Sequence, residues 1–170
     1  MKELFVVIDM QNDFITGALN NAAAQAILPD VIKAVQAAKK AGKQLLFTRD
    51  THAKNYLNTT EGKYLPVEHC IQGTWGHEIA DGLYVEGAAV IDKPTFGSKE
   101  LAEYVQKGGF DKVELVGVCT DICVVTNALL IKTACPDTVV VVHEKLTAGV
   151  SAETHEAAIK TMRSCQVEIV

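Results

Sequence analysis

The chain has 170 residues, of which 48% are hydrophobic and 22% charged, and its formal net charge at pH 7 is −5. This length fits one domain, and the apolar content is ample for a sizeable core. The negative charge and the scattered Lys and Arg weigh against nucleic acid or an anionic membrane as the main partner. They favour a small neutral or weakly charged substrate.

The first apolar run, residues 4–8, is interrupted by Asp9 long before a secretory signal or a membrane span could form. We therefore expect a cytoplasmic protein. The five cysteines are an odd number, which favours free thiols over a disulfide framework in such a chain. The sequence leaves one internal bridge open, and it also leaves open whether the chain forms a homo-oligomer.

Apolar runs of strand length recur along the chain and predict strands at residues 4–8, 44–47, 88–91, 113–116, 138–142 and 167–170. Helix-length segments separate most of them. The first predicted helix has Pro29 in its opening turn and ends at Gly42. Further helices are predicted at residues 98–106, 121–133 and 151–163, with Ser98 and Ser151 as N-caps and Gly108 as a stop.

This alternation, with strands that are apolar on both faces, predicts a doubly wound α/β fold: a mainly parallel six-stranded sheet with helices on both faces. We expect one domain over residues 1–170. The irregular stretch at about residues 49–87 is longer than ordinary loops, so we interpret it as a functional insertion.

Polar side chains follow four of the predicted strands, at the point where each strand ends. Asp9 follows the first, Asp50 the second and Lys93 the third, while residues 119–123 follow the fourth. The carboxyl ends of parallel strands lie at one edge of the sheet, where ligands bind. With the common strand order 3-2-1-4-5, Asp9 and Cys123 would face each other across the switch point.

These residues predict a cysteine hydrolase. Cys123 lies at a helix start, where unpaired N–H groups favour the thiolate, and would attack a carbonyl group. Asp9 would carry the proton, and Lys93 would keep Asp9 ionised. Backbone N–H groups of Cys119 and Cys123 would form the oxyanion hole. Taken singly, each side chain also fits a plain structural role as a small core residue, a cap or a loop lysine.

A second group lies in the insertion and consists of Asp50, His52, Glu61 and His69. Imidazole and carboxylate together suit Zn²⁺, Fe²⁺ or Mn²⁺, although a charged loop often carries such residues as solvated surface. The neighbouring Cys70 is interpreted as a core residue.

The motifs in combination resemble those of the isochorismatase-like cysteine hydrolases, and within them the nicotinamidases. The resemblance covers nearly the whole chain. It is carried by VIDMQNDF at residues 7–14, TRDTH at 48–52, PVEHCIQGT at 66–74, Lys93, and GVCTDICV at 117–124.

The resemblance implies that Asp9, Lys93 and Cys123 form a catalytic triad and that the Val118–Cys119 peptide bond is cis. It also implies one divalent metal ion, zinc before iron or manganese, at the four residues of the insertion named above. The implied reaction is hydrolysis of nicotinamide to nicotinate and ammonia, a step of NAD salvage.

The same resemblance implies where the small amide substrate would bind. Phe14 matches an aromatic residue that stacks on the substrate ring. Leu65 stands where many nicotinamidases have Trp or Phe, and Phe96 stands where a Tyr is often found. Trp75 is a candidate to restore aromatic surface. The alternatives are a related small-amide, carbamoyl or ureido hydrolase on the same scaffold, and a non-enzymatic metal-binding or thiol-sensing domain. Isochorismatase activity is disfavoured, because it needs neither the cysteine nor the metal ligands.

Overall fold

The computed structural model describes residues 1–170, and its strands form a single six-stranded sheet. The strands are β1 (Glu3–Ile8), β2 (Gln44–Asp50), β3 (Ala89–Lys93), β4 (Lys112–Val118), β5 (Val139–Ala148) and β6 (Glu168–Ile169). Their order is β3-β2-β1-β4-β5-β6, and every neighbouring pair is parallel. The predicted doubly wound fold and the predicted switch point between β1 and β4 are confirmed.

Helices cover both faces of this sheet. They are α1 (Asn12–Ile15), α2 (Ala22–Lys40), α3 (Thr60–Tyr64), α4 (Lys99–Gly108), α5 (Val125–Ala134) and α6 (Ala152–Ser164). Successive side chains of a strand point to opposite faces, and β1 shows this directly. Its residues Leu4 and Val6 join the core under α4, α5 and α6, whereas Phe5 and Val7 join the core under α2. No helix has both the length and the apolar character that a membrane crossing needs.

Helix ends follow the capping rules, with two departures from the sequence prediction. Ser98 and Ser151 are the N-caps of α4 and α6, as predicted. The prediction for Pro29 was wrong: α2 begins seven residues earlier, because the Asn21 side chain accepts hydrogen bonds from two N–H groups of its first turn. The stop of α4 is also one residue later than predicted, at Gly109, whose φ of 60° suits glycine.

The insertion is built from short structured pieces. Beyond the end of β2 it contains a 3₁₀ turn at Tyr56–Asn58, helix α3 and a second 3₁₀ turn at Trp75–His77. An isolated bridge between His52 and Ile71 joins the two ends of its first half, and a second bridge, between Gln11 and Ile79, fastens the insertion to the loop after β1. Side chains of the insertion are therefore held against the carboxyl ends of β1 and β2.

A buried carboxylate, Glu114 of β4, lies among cationic groups outside the region of the strand ends. It accepts hydrogen bonds from Lys43 and, at 2.7 Å, from His143, and Lys112 Nζ lies 3.3 Å away. Burial alone would raise the pKa of Glu114, but the hydrogen bonds from Lys43 and His143 outweigh it and lower the pKa from 4.5 to about 2. The ionised carboxylate is therefore a stabilising part of the fold.

We expect Glu114→Gln to lower the free energy of unfolding by about 2 kcal/mol at pH 7, because its cationic partners are partly exposed and screened. The pKa of Glu114 is lower in the folded than in the unfolded chain. Its contribution is therefore complete above pH 4.5 and is lost as the pH falls towards 2. Urea unfolding of both proteins at neutral pH and at about pH 3 measures this. A deficit of the same size at both pH values would contradict the assignment.

Candidate active site

The structure brings Asp9, Lys93 and Cys123 together at the carboxyl edge of the sheet. Asp9 directly follows β1, Lys93 is the last residue of β3, and Cys123 lies in a π-helical turn, Thr120–Val124, after β4. Lys93 Nζ is 2.6 Å from Asp9 Oδ2 and donates to Cys123 Sγ at 3.4 Å. All three side chains are buried. One cation thus touches both of the other groups.

The Asp9 carboxylate is oriented by Thr48, a residue that sequence reasoning missed. Thr48 Oγ1 donates to Asp9 Oδ1 at 2.6 Å and accepts from the Asp9 backbone N–H at 3.2 Å. Asp9 has a φ of 48°, a left-handed conformation that aspartate tolerates better than most residues. Two signals in the sequence, a polar residue at the end of an apolar run and a place in the TRDTH motif, could have indicated this role.

Burial and the neighbouring charges shift the pKa values of Cys123, Asp9 and Lys93 by different balances of effects. Burial raises the pKa of the Cys123 thiol well above its ordinary value, the Asp9 carboxylate raises it further, and Lys93 opposes the rise only in part. The thiolate expected at this position is therefore not the resting form. Burial likewise raises the pKa of Asp9 against the opposing effect of Lys93. Burial would lower the pKa of Lys93, but Asp9 and Cys123 raise it, so this side chain stays charged.

The turn that carries Cys123 also places backbone N–H groups at the site. The Val118–Cys119 peptide bond is cis, as the resemblance implied. The Cys119 N–H donates to no acceptor within the chain, while the Cys119 carbonyl accepts from Ile122 and Val124. Just before it, a Cβ on Gly117 would come within 2.1 Å of the Ile8 carbonyl oxygen, so only glycine lets β4 approach β1 here.

Asn127 of α5 is a second residue that sequence reasoning missed. Its buried side chain donates to the Cys123 carbonyl at 2.8 Å and to the Phe96 carbonyl at 3.1 Å, and accepts from the Ser98 N–H at 2.9 Å. These bonds join the turn with the thiol to the segment that follows Lys93. The spacing between nucleophile and lysine is thereby fixed through backbone atoms.

The four residues predicted as metal ligands also come together. One potential ligand atom from each of Asp50, His52, Glu61 and His69 lies within 4.8 Å of all the others. His52 Nε2 and His69 Nε2 are 2.9 Å and 3.4 Å from Asp50 Oδ2. Glu61 Oε1 is 3.6 Å from His52 Nε2. Cys70 lies outside this group as a buried thiol, in agreement with its interpretation as core.

Three observations indicate that this group fits a divalent cation. Asp50 is buried and incompletely hydrogen-bonded: Oδ1 has no hydrogen-bond partner and lies 3.6 Å from Lys93 Nζ, whereas Oδ2 faces both imidazoles and is the oxygen placed to bind an ion. His69 Nδ1 bonds the Val67 carbonyl oxygen at 2.8 Å, which leaves Nε2 as the ligand atom in the manner of metal-bound histidines. Burial would raise the pKa of Asp50, but His52, His69 and Lys93 lower it, so this carboxylate is ionised. Two imidazoles with two carboxylates suit zinc, iron or manganese.

Gln11 fixes the backbone at Asp50 and was also missed as a site residue. Its side-chain oxygen accepts from the Asp50 N–H at 2.7 Å, and its nitrogen donates to the carbonyls of Asp50 and His77, each at 2.9 Å. Gln11 is fully buried, and all of these bonds are within the chain. The end of β2 and the second 3₁₀ turn of the insertion are thus held to the loop after β1.

A cavity of about 630 Å³ connects the two groups. Cys119 and Cys123 line it on one side, and Asp50, Glu61 and His69 line it on another. Of the predicted substrate-binding residues, three contribute to the wall: Phe14, Leu65 and Phe96. Trp75 does not line the cavity; its side chain is 58% exposed elsewhere on the surface.

The fold and this site define the class of the protein: a doubly wound α/β protein with a buried cysteine, aspartate and lysine at its switch point, next to a potential metal site. The chain belongs to the isochorismatase family, because residues 3–170 match the family described as "Isochorismatase domain". The resemblance inferred from the sequence motifs is thereby confirmed.

Individual relatives and a solved structure show which members of the family the chain is similar to. The nicotinamidase/pyrazinamidase of Mycobacterium tuberculosis is 28% identical over 182 residues, which cover 97% of this chain and 96% of the relative. The nicotinamidase of Saccharomyces cerevisiae is 26% identical, with 76% and 80% covered. A pyrazinamidase of Pyrococcus horikoshii, in complex with zinc, superposes with a TM-score of 0.89 at 30% identity, covering 100% of this chain and 99% of that one.

Proposed function

We propose that the protein is a metal-assisted amide hydrolase that uses Cys123 as nucleophile and converts nicotinamide to nicotinate and ammonia. The observation that carries this proposal is the shared cavity, into which both Cys123 and three of the four potential metal ligands open. The names of the relatives support nicotinamide as the substrate. We infer that residues 1–170 act as one catalytic domain in cytoplasmic NAD salvage, with the insertion supplying metal ligands.

Proton transfer between Cys123 and Asp9 begins the reaction. The thiol proton passes to the Asp9 carboxylate, whose raised pKa suits it to a base, as Sγ attacks the carboxamide carbon. Asp9 then returns the proton to the leaving nitrogen, so that ammonia departs and a thioester remains. A water molecule, deprotonated by the same carboxylate, hydrolyses the thioester to the acid and restores the thiol.

Lys93 and the backbone stabilise the charges that appear during these steps. The Lys93 ammonium lies between Asp9 and Cys123 and stays charged, so it favours the thiolate as this forms. The N–H groups of Cys119 and Cys123 are the proposed donors to the oxyanion of the tetrahedral intermediate. The Cys119 N–H is free to act in this way, since it donates to no other group.

Asp50, His52, Glu61 and His69 are the proposed ligands of one divalent ion, with zinc as first choice because a related pyrazinamidase structure contains it. When bound, the ion would supply a Lewis acid that binds a heteroaromatic nitrogen. Phe14 lies against this group, with its ring centroid 5.8 Å from that of His69, and would contact the face of the substrate ring.

The carbamoyl and ureido alternatives find less support in the cavity. An N-carbamoyl amino acid carries a carboxylate, which needs a cationic partner when it is bound away from water. No lysine or arginine lines the cavity, its charged lining residues are Asp50 and Glu61, and the proposed metal ion, its one cation, is assigned to the ring nitrogen. The site therefore favours a neutral amide.

We expect zinc-loaded protein to release ammonia and nicotinate from nicotinamide in equal amounts. Metal-free protein should hydrolyse nicotinamide at least about 100-fold more slowly. His52→Ala should bind zinc with at least about tenfold lower affinity, because it removes one imidazole from a four-residue set. Ammonia release, together with the zinc content after dialysis, measures both.

The matched control is His155→Ala, which removes an imidazole that bonds Thr120 Oγ1 and lies outside the ligand group. It should keep wild-type zinc content. Full nicotinamide turnover by protein shown to be free of divalent metal would contradict the proposed metal site. No turnover by folded, zinc-loaded protein would overturn nicotinamide as the substrate.

A further inference from the structure

The cavity is larger than a single pyridine carboxamide requires. Its volume of about 630 Å³ lies in the range of roughly 300–1,000 Å³ typical of pockets for drug-sized ligands. The reactive groups occupy only its buried end. Lys93 Nζ is 3.6 Å from Asp50 Oδ1 and 3.4 Å from Cys123 Sγ. A single aromatic ring can therefore span the distance between the Asp50 carboxylate and the Cys123 sulfur. Much of the remaining volume is available for another part of a ligand.

The part of the cavity that the reactive groups do not occupy is lined by apolar side chains. We call this lining the outer wall, and it consists of Ala18, Leu19, Leu65, Phe96 and Val150. These side chains are apolar, and four of them are substantially exposed, with Phe96 at 43% and Val150 at 63%. The buried Asp50, His69 and Cys123 form the opposite, polar end. The cavity lining also includes the polar but uncharged Asn20 and Asn21, next to Leu19 in the chain, and no charged side chain belongs to the outer wall.

Hydrogen bonds hold the outer wall in place. Asp13 accepts from the Ala18 N–H at 3.0 Å and from the Cys70 N–H at 2.7 Å, so it ties the wall to the segment that carries His69. Asn21 caps α2 and donates to the Gly149 carbonyl at 2.9 Å. The next N–H, that of Val150, donates to Asp121 Oδ1 at 3.1 Å. These bonds fix the backbone at Ala18 and Val150, at two places in the outer wall, before a ligand arrives.

We propose that the outer wall is a subsite for an apolar substituent on the substrate ring, so that the substrate class is neutral pyridine carboxamides extended at carbon 5. This inference rests on the proposed function. In the proposed binding mode the ring nitrogen faces the four potential metal ligands and the carboxamide on carbon 3 faces Cys123. Carbon 2, between these two ring positions, then lies deepest in the cavity, and carbon 5, on the opposite side of the ring, points outward. The reaction is unchanged: the amide bond breaks, ammonia leaves and water supplies the acid oxygen.

The test compares nicotinamide, 5-ethylnicotinamide and 5-carboxynicotinamide with zinc-loaded protein. We expect kcat/KM to be about fifteenfold higher for the ethyl compound than for nicotinamide, because each of the two buried carbons contributes about fourfold. For the carboxylate compound we expect it to be at least about tenfold lower, because no cation in the wall compensates a buried charge. Calorimetric Kd values with Cys123→Ala should follow the same order without turnover.

Ala18→Phe places a ring in the subsite and should reduce the ethyl-to-nicotinamide ratio of kcat/KM to about one or below. Its matched control is Ala26→Phe on the exposed part of α2, outside the cavity, which should leave the ratio unchanged. Hydrolysis of nicotinamide with no gain from the ethyl group, or an unchanged ratio in Ala18→Phe, overturns the subsite and leaves the proposed function standing. Failure to hydrolyse either amide overturns both.

Discussion

Cys123→Ala is expected to reduce nicotinamide hydrolysis by at least about 10⁴-fold, because it removes the atom that would form the thioester and leaves only binding and oxyanion stabilisation. The loss should appear in kcat, with zinc content unchanged, since Cys123 is not among the four potential ligands. Steady-state ammonia release and metal analysis of the same preparation measure both quantities.

The intermediate itself offers a sharper test. Hydroxylamine added during turnover should intercept the thioester of the wild-type protein and give nicotinohydroxamate, whereas Cys123→Ala should give none. Cys165→Ala is the matched control, since this free thiol is exposed at the end of α6, and it should retain full turnover and trapping. Hydroxamate formation by Cys123→Ala at the wild-type rate would mean that another group, or water, attacks the amide directly.

The sequence predicted the placement of the reactive groups because a parallel sheet imposes it. In such a sheet every residue just after a strand arrives at one edge, so Asp9, Lys93 and Cys123 could be assigned to a common edge from strand positions alone. The structure confirms that placement, with Lys93 in contact with both of the others. The parallel arrangement of the strands therefore made the location of these residues predictable, although their individual contacts were not.

The residues that sequence reasoning missed act through contacts distant along the chain. Gln11 and Thr48 each bond a partner 39 residues away, and nothing in the local pattern around either residue indicates that partner. Asn127 likewise reads as an ordinary polar residue in a helix. Such positioning residues depend on side-chain geometry, which periodicity and capping rules do not specify.

The expectation of a resting thiolate shows a second limit. A helix start lowers the pKa of a thiol, but burial and a neighbouring carboxylate raise it, and their balance depends on depths and distances. In the structure, burial and Asp9 prevail at Cys123. The orientation of Trp75 depends in the same way on packing: its backbone carbonyl accepts from Asn12 while the side chain faces outward, away from the cavity.

Lys93→Met is expected to lower the free energy of unfolding of the metal-free protein by about 3–5 kcal/mol and to abolish turnover. Lys93 is buried and touches two carboxylates, with Nζ 2.6 Å from Asp9 Oδ2 and 3.6 Å from Asp50 Oδ1. Methionine fills a similar volume without the charge. The variant therefore leaves both carboxylates buried without their cation, and one of them must take up a proton or remain uncompensated.

Adding Asp9→Asn to Lys93→Met separates charge from packing. The double variant removes one of the two carboxylates that lost their cation, so it should be more stable than Lys93→Met alone, by about 1–3 kcal/mol. Lys99→Met, on the exposed first turn of α4, is the matched control and should change stability by less than about 0.5 kcal/mol. Additive losses would show that Lys93 and Asp9 contribute independently, and the ion pair would then not explain why a lysine is buried beneath the cavity.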